Sequence, residues 1–288
     1  MKLVSAQGHL ESVEMMTSVL RPGGDLSLEY PLVFDEGGPG ALFALAEGEE
    51  VLSACAVLER ELIYPGGRAR AGFIGSVATR ADARGRGCAT QLLSEVERLL
   101  EGHGCEHALL WADDPNFYQR RGYRLDGRET DYLVSEIPST ELDPSLNVRS
   151  FLSGDEDRLH ELYTRHGARV GRSAQETASL LLCPEMKVLV ATRGEQVVAY
   201  ACFGRGADLA GVVHEWGGCP EGVISCLDAL LEQADSLFLM APGAAGPMGE
   251  LLEVCGAIRA EGRLGMVKPL GAAGGLPEGA FVWGLDSI

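Results

Sequence analysis

Val77-Ala78-Thr79-Arg80-Ala81-Asp82-Ala83-Arg84-Gly85-Arg86-Gly87-Cys88-Ala89 is the stretch on which the reading of this chain turns. Its first residues end an apolar run of strand character, Ala69 to Thr79. Beyond it, Thr90 to Glu101 reads as a helix. Leu92, Val96, Leu99 and Leu100 recur at i, i+4, i+7 and i+8, the spacing of one buried face, and Gly102 and Gly104 stop it. A strand that enters a helix through a loop leaves free N–H groups at the helix start. The helix dipole adds partial positive charge there, so the place suits an anion. Gly85 and Gly87 let the backbone approach a bulky phosphate without a Cβ, and Arg84 and Arg86 add charge. The loop lacks the Gly-Lys-Ser/Thr of a P-loop and the GxGxxG spacing of a dinucleotide fold. A Gly/Arg-rich surface turn is the plain alternative.

Working outward, Lys2–Ala6 reads as a short strand and Leu10–Leu20 as a helix, followed by a Gly- and Pro-containing stretch, Pro22–Gly40. Ala41–Ala46 and Val51–Ile63 read as strands, the second forming an antiparallel hairpin with Ala69–Thr79 across Pro65-Gly66-Gly67. After the helix come an apolar strand, His107–Trp111, a short helix, Asn116–Arg121, and strand character over Tyr123–Val134. Pro138–Pro144 has linker composition. The same order then recurs: strand Asn147–Phe151, helix Glu156–His166, strands Val188–Thr192, Val197–Phe203 and Val212–Trp216, a loop Gly217–Gly222, helix Val223–Ala234, strand Ser236–Met240, helix Glu250–Cys255 and strand Arg263–Leu270. Gly122-Tyr123-Arg124-Leu125-Asp126-Gly127-Arg128 aligns with Gly256–Arg263 with one insertion. The expectation is an α+β fold, a mixed and mostly antiparallel central sheet flanked by helices, duplicated in tandem with domains 1–142 and 143–288.

Composition sets the outer limits. The chain has 288 residues, 46% of them hydrophobic and 23% charged, the balance of a packed globular protein. Its formal net charge of -18 repels phosphate backbones and anionic lipid, so neither nucleic acid nor membrane is expected as a partner. None of the eight cysteines forms a CxxC pair, and most lie in apolar runs such as Ser53-Ala54-Cys55-Ala56-Val57, as free buried thiols do. The six histidines show no metal-ligand spacing, so no metal is expected. No leader of the usual pattern opens the sequence, and no apolar run reaches the ~20 residues of a membrane span. A cytoplasmic protein in a reducing compartment is the expectation.

Arg84-Gly85-Arg86-Gly87-Cys88-Ala89 resembles the R/Q-x-x-G-x-G/A signature of the GCN5-related N-acetyltransferases (GNAT). Asn116-Phe117-Tyr118-Gln119-Arg120-Arg121-Gly122-Tyr123 resembles the aromatic segment that follows the fifth strand in that family, at the family's spacing. The likeness is specific over Ala69–Tyr132. It implies two tandem acyl-CoA N-acyltransferase folds and acetyl-CoA as cosubstrate. The pyrophosphate would lie on Arg84, Gly85, Arg86, Gly87, Cys88 and Ala89, with the pantetheine arm along Val77, Ala78 and Thr79, and Asn116 near the cofactor.

The resemblance also implies chemistry. A neutral amine attacks the thioester, a strand N–H near Val77 or Ala78 holds the oxyanion, and Tyr118 returns a proton to the departing thiolate. Asp113 and Asp114 are candidate acceptor-side carboxylates, or else a solvated turn before Pro115. The acceptor is expected to be a small-molecule or peptide amine, and the protein a monomer or homodimer.

The second half keeps the order of elements without the motifs. Its loop, Gly217-Gly218-Cys219-Pro220-Glu221-Gly222, has no arginine, Pro220 removes a donor, and Glu221 opposes phosphate. Leu251 and Leu252 stand in place of Phe117 and Tyr118. A degenerate copy is expected. His214, Glu215 and Trp216 are either an amine-recognising cluster or a satisfied interface. The C-terminal carboxylate reaching the active site, as in some tandem relatives, is a further expectation. Three rival readings remain: an acyl-CoA-binding sensor without turnover, an acyltransferase with another donor or acceptor, and an interaction module.

Overall fold

The computed structural model describes residues 2–5, 10–35, 37–112, 114–243 and 246–288. The first half runs β1 (Lys2–Ser5), α1 (Leu10–Leu20), α2 (Leu26–Glu29), α3 (Pro31–Phe34), β2 (Ala41–Glu47), β3 (Glu50–Tyr64), β4 (Gly67–Thr79), α4 (Cys88–Gly102), β5 (His107–Leu110), α5 (Pro115–Gln119), β6 (Arg124–Asp126) and β7 (Glu129–Val134). The second half runs β8 (Leu146–Ser150), α6 (Glu156–Thr164), β9 (Arg169–Val170), α7 (Ala174–Leu181), β10 (Lys187–Arg193), β11 (Gln196–Phe203), β12 (Val212–Gly218), α8 (Pro220–Leu231), β13 (Leu237–Pro242), α9 (Gly246–Val254), β14 (Ile258–Gly262) and β15 (Gly265–Pro269).

The α+β reading holds in both halves. The first sheet has the order β1-β2-β3-β4-β5-β15-β6, with β9 added to β3, and the second has β8-β10-β11-β12-β13-β7-β14. Two pairings, β4 with β5 and β12 with β13, are parallel, and the others are antiparallel. The halves also trade a strand. β7 enters the second sheet between β13 and β14. β15 enters the first between β5 and β6. Each core is therefore completed by the other half of the chain. One hydrophobic cluster spans both halves, from Met16 and Leu58 to Trp283. A second lies between the first sheet and the Leu92, Leu93, Val96 and Leu100 face of α4.

Local chemistry explains where the elements depart from the sequence expectation. Pro22–Gly40 holds two short helices, because Asp25 caps α2 by accepting from Ser27 N–H and Pro31 opens α3 at a position that needs no donor. α7 was not anticipated, although Ser173 and Glu176 form a reciprocal capping box. The expected loop Gly217–Gly222 is not a loop: β12 continues through Gly218 and α8 begins at Pro220.

Candidate active site

The site forms where β4 parts from β5. Its parallel pairing with β5 ends at Phe73–Leu109, while β4 itself continues to Thr79. On the other side Ala54 faces Ala78 and Ala56 faces Gly75, so β4 carries one extra residue. Ser76 takes the strain with φ at 50°. A bulge of this kind leaves a residue out of the ladder and turns the strand. It sits on Ser76–Val77, beside the expected oxyanion donor. Ser53 Oγ donates to the Ala78 carbonyl at 2.8 Å and lies 2.9 Å from Thr79 Oγ1, which fixes the strand end.

From Thr79 the chain passes through residues 80–87 into α4. Gly87, the residue before the helix, has φ at 78°, and Gly85 has 77°. A Cβ added at either would meet no atom within 4 Å. These glycines are therefore required by backbone conformation rather than by space. Gly87 as N-cap has no side chain to cap α4, and the helix itself cannot satisfy the N–H groups of its first turn. The arginines of the loop differ. Arg80 is held by Asp82 and Glu50, and Arg86 Nη2 donates to Glu47 at 2.9 Å. Arg84 donates from Nε to the Thr79 carbonyl at 3.4 Å, and among the described residues it has no carboxylate partner. An anion at α4 would meet that charge.

Tyr118 lies on α5, half-buried, between Phe117 and Tyr123, whose rings stand edge-on at 5.0 and 5.9 Å. It packs with Val77 against the cluster that contains Cys55 and Cys88. Burial pushes its phenol up to about 12, with Cys55 adding to the shift and Arg121 opposing it. The group is therefore fully protonated at neutral pH. The end of α5 is braced from outside. Arg121 Nη2 reaches Glu97 Oε1 at 3.2 Å, and Lys268 Nζ, on the exchanged strand β15, donates to Glu97 Oε2 at 2.7 Å.

The candidate carboxylates fare differently. Asp113 lies outside the described residues. Asp114 caps α5: its Oδ1 accepts from the Asn116 backbone N–H at 3.0 Å and from Asn116 Nδ2 at 2.9 Å. Asn116 is exposed and committed to that cap.

The last residues of the chain, whose carboxylate is expected at the site, form one wall of it. Residues 280–286 are buried, and the chain ends its path against β4. A Cβ on Gly75 would lie 2.4 Å from the Ile288 carbonyl carbon and oxygen. Arg205 straps this segment down. Its Nη1 donates to the carbonyls of Gly284 and Ser287, and its Nε and Nη2 donate to that of Glu29 at 3.0 and 2.9 Å. Its guanidinium also stacks on Tyr30 at 4.6 Å.

Glu215 does not recognise an amine. Its side chain is wholly buried and grips Arg172 with both oxygens, at 2.7 and 2.9 Å, while Tyr200 donates to it at 2.8 Å. His214 is buried as well, and burial pushes its ring down to about 3, so it is neutral. Of the two readings of this cluster, the satisfied one is what the contacts support, with partners that all come from the second half and not from an interface between the halves.

The second half lacks the loop altogether. One residue, Cys219, separates β12 from α8, where residues 80–87 separate β4 from α4. Where β12 and β13 part, Trp216 Nε1 donates across the gap to the Met240 carbonyl at 3.0 Å. Among the described residues no group of three or more His, Cys, Asp or Glu side chains could hold a metal, and no helix is long and apolar enough to cross a membrane.

Residues 36–125 match the acetyltransferase (GNAT) domain family. The fold extends the likeness to almost the whole chain. A protein of Enterococcus faecalis V583 named as a probable N-acyltransferase superposes with a TM-score of 0.72 at 12% identity, over 93% of this chain and 72% of that one. A GCN5-related N-acetyltransferase from Anabaena variabilis ATCC 29413 gives 0.71 at 14% identity, over 92% and 72%. Eis1 from Mycobacterium abscessus gives 0.62 at 14%, over 93% and 73%.

Proposed function

We propose that this chain, which carries a GNAT domain within its first half and the GNAT fold throughout, transfers the acetyl group of acetyl-CoA to a primary amine. The fold is one that supports acyl transfer. The observation that carries the finer reading is the N-terminus of α4, entered through left-handed Gly87, together with the end of β4 that β5 no longer pairs. A diphosphate suits the first, and an extended arm suits the second.

Val77, Ala78 and Thr79 would pair with the pantetheine arm. The main chain of Gly85, Gly87, Cys88 and Ala89 would hold the pyrophosphate, with Arg84 and Arg86 adding charge. The amine attacks the thioester carbonyl and the C–N bond forms as C–S breaks. A main-chain N–H at the Val77–Ala78 bulge takes the charge on oxygen. Tyr118 gives its proton to the sulfur as the C–S bond breaks: a phenol at about 12 protonates a thiolate of ~8.5 only uphill, so the transfer is coupled to loss of the surplus proton on the attacking nitrogen. The amine's surplus proton returns to the tyrosinate through solvent, which closes the balance. Asp114 holds α5 and Asn116 in place, and Asp113 is kept as the acceptor-side carboxylate.

The division into units 1–142 and 143–288, with the second a copy that does not bind acetyl-CoA, belongs to the same proposal. The missing loop and the indole of Trp216 between β12 and β13 support it. A small-molecule or peptide amine acceptor, a cytoplasmic setting and a monomer or homodimer are further parts of the proposal. Calorimetric titration with acetyl-CoA tests the reading. One equivalent per chain is expected. Two equivalents would restore the second site, and no binding would sink the acetyltransferase assignment and leave an interaction module.

A further inference from the structure

A cavity lined mostly by the second half, with Pro65 and Arg128 from the first, is not used by the proposed chemistry. It has a volume of about 310 Å³, at the lower end of the ~300–1,000 Å³ of small-molecule sites. It opens at the C-terminal ends of β12 and β13, against the β3–β4 turn at Pro65. From Gly67, where this turn ends, β4 runs eight residues to Gly75, roughly 26 Å at ~3.3 Å per residue, so this end of the cavity is remote from the α4 loop.

Its walls are aromatic and already committed. Trp216 donates its N–H to the Met240 carbonyl, and His166 Nε2 donates to the Trp216 carbonyl at 2.8 Å. Behind them Trp283 donates to the Ala168 carbonyl at 3.0 Å. Phe281 stands edge-on to Trp283 at 5.0 Å, and the rings of His166 and Trp283 are 4.4 Å apart. Burial pushes His166 down to about 4, so it is a neutral wall at physiological pH. The rings' N–H groups are satisfied from within, and what they have left for a ligand is apolar surface held in place before binding.

The rim carries one charge of each sign, Arg128 and Glu278. Both are exposed, and neither makes an ion pair or side-chain hydrogen bond among the described residues. An aromatic slot with a guanidinium and a carboxylate at its mouth matches a molecule with an apolar body, a carboxylate and an ammonium.

We infer that this cavity binds a small zwitterion, an α-amino acid with an aromatic or large apolar side chain. Its body lies against Trp216 and Phe281, its carboxylate meets Arg128, and its ammonium meets Glu278. The inference stands independently of the acetyl-CoA reading.

The test is calorimetric titration of the full chain with L-phenylalanine, with phenylacetate and phenethylamine as probes lacking one charge each. Saturable binding of L-phenylalanine is expected, at least tenfold weaker for either probe. Arg128→Ala should weaken L-phenylalanine at least tenfold while leaving phenethylamine unchanged, and Glu278→Ala should do the converse with phenylacetate. Both residues are exposed, and circular dichroism checks that each variant is folded. Saturating acetyl-CoA should leave the affinity within twofold. No saturable binding at millimolar L-phenylalanine overturns the inference. Binding insensitive to both substitutions, or abolished by acetyl-CoA, overturns it as well, because the ligand then lies elsewhere.

Discussion

Arg172 Nη1 and Asp286 Oδ1 stand 3.2 Å apart with both side chains shut off from solvent, across 114 residues of chain. The same guanidinium holds Glu215 and lies 3.6 Å over the ring of Tyr163, which donates to Asp286 Oδ2 at 2.7 Å. One cation thus serves two carboxylates. Burial raises the Asp286 carboxyl despite Arg172, because that charge is shared with Glu215. The group ties β12 to the segment that runs on to Ile288.

Removing the cation leaves two buried acids without a counter-charge. Arg172→Met should cost about 3–5 kcal/mol at neutral pH, the range for breaking a buried pair from one side. Asp286→Asn, which leaves Glu215 on Arg172, should cost less. Urea unfolding of the two variants checks the order. Equal losses would mean that Asp286, not Glu215, is the principal partner.

Gly87→Ala separates conformation from space. With φ at 78° and nothing within 4 Å of a new Cβ, the cost is backbone strain, about 1–2 kcal/mol. Gly48→Ala, at φ 67° in the β2–β3 turn with equally open surroundings, should lose similar stability. Acetyl-CoA affinity should fall only for Gly87→Ala. A parallel fall in both would mean that the loop geometry is not what binds.

Tyr118→Phe keeps the edge-on packing with Phe117 and Tyr123 and removes the proton. Turnover on an amine substrate should fall about a hundredfold or more, within the usual range for a general acid, with acetyl-CoA affinity changed less than twofold. Unchanged turnover would reduce Tyr118 to a packing residue.

The parts of this site that the sequence reveals are the local ones. Residues 77–89 and 116–123 carry their meaning in short spacings, and the structure keeps them as strand, left-handed glycines, helix and half-buried tyrosine. The exchange of β7 and β15 is invisible in the same text. Each strand's alternation fixes which face it buries, but not which sheet it joins, and the choice is made by contacts more than 100 residues away. Arg172 gives no signal either, since its four partners come from α6, α7, β12 and the last residues of the chain. α7 is a different case. Ser173-Ala174-Gln175-Glu176 carries the capping-box pattern, and the helix is short enough to pass for loop. Trp216 is recognisable as an apolar wall, but its place in the β12–β13 gap depends on a carbonyl in another strand.

Gly75→Val probes the contact with the end of the chain. The new side chain would begin 2.4 Å from the main chain of Ile288, and backbone on both sides cannot yield as a side chain tip can. The segment beyond Arg205's last hold, the Ser287 carbonyl, should lift from β4. Hydrogen exchange should rise at the Ile288 amide and remain slow at the Ser287 amide, which Gly284 holds, and at the Trp283 indole, which Ala168 still anchors. Unaltered exchange at the end would show that β4 shifts instead.

The enclosed carboxyl of Glu129 should make stability fall with rising pH. It lies on β7 with its Oε2 buried and, among the described residues, unpartnered. Burial, reinforced by Asp131, pushes it up to about 8. An unfolded glutamate titrates near ~4.3. Between those values the folded chain holds a proton that the unfolded chain has released, so folding is progressively disfavoured as pH rises. The stabilisation is complete below about pH 4.3, is lost as pH approaches 8, and is flat above. The slope is up to about 1.4 kcal/mol per pH unit. Glu129→Gln retains the shape and cannot ionise. Its unfolding free energy should match the parent near pH 5 and exceed it by a few kcal/mol at pH 8.5, on the same slope. Denaturant unfolding at both pH values measures the difference. A gap that is the same at pH 5 and pH 8.5 would show that Glu129 is solvated in the folded protein.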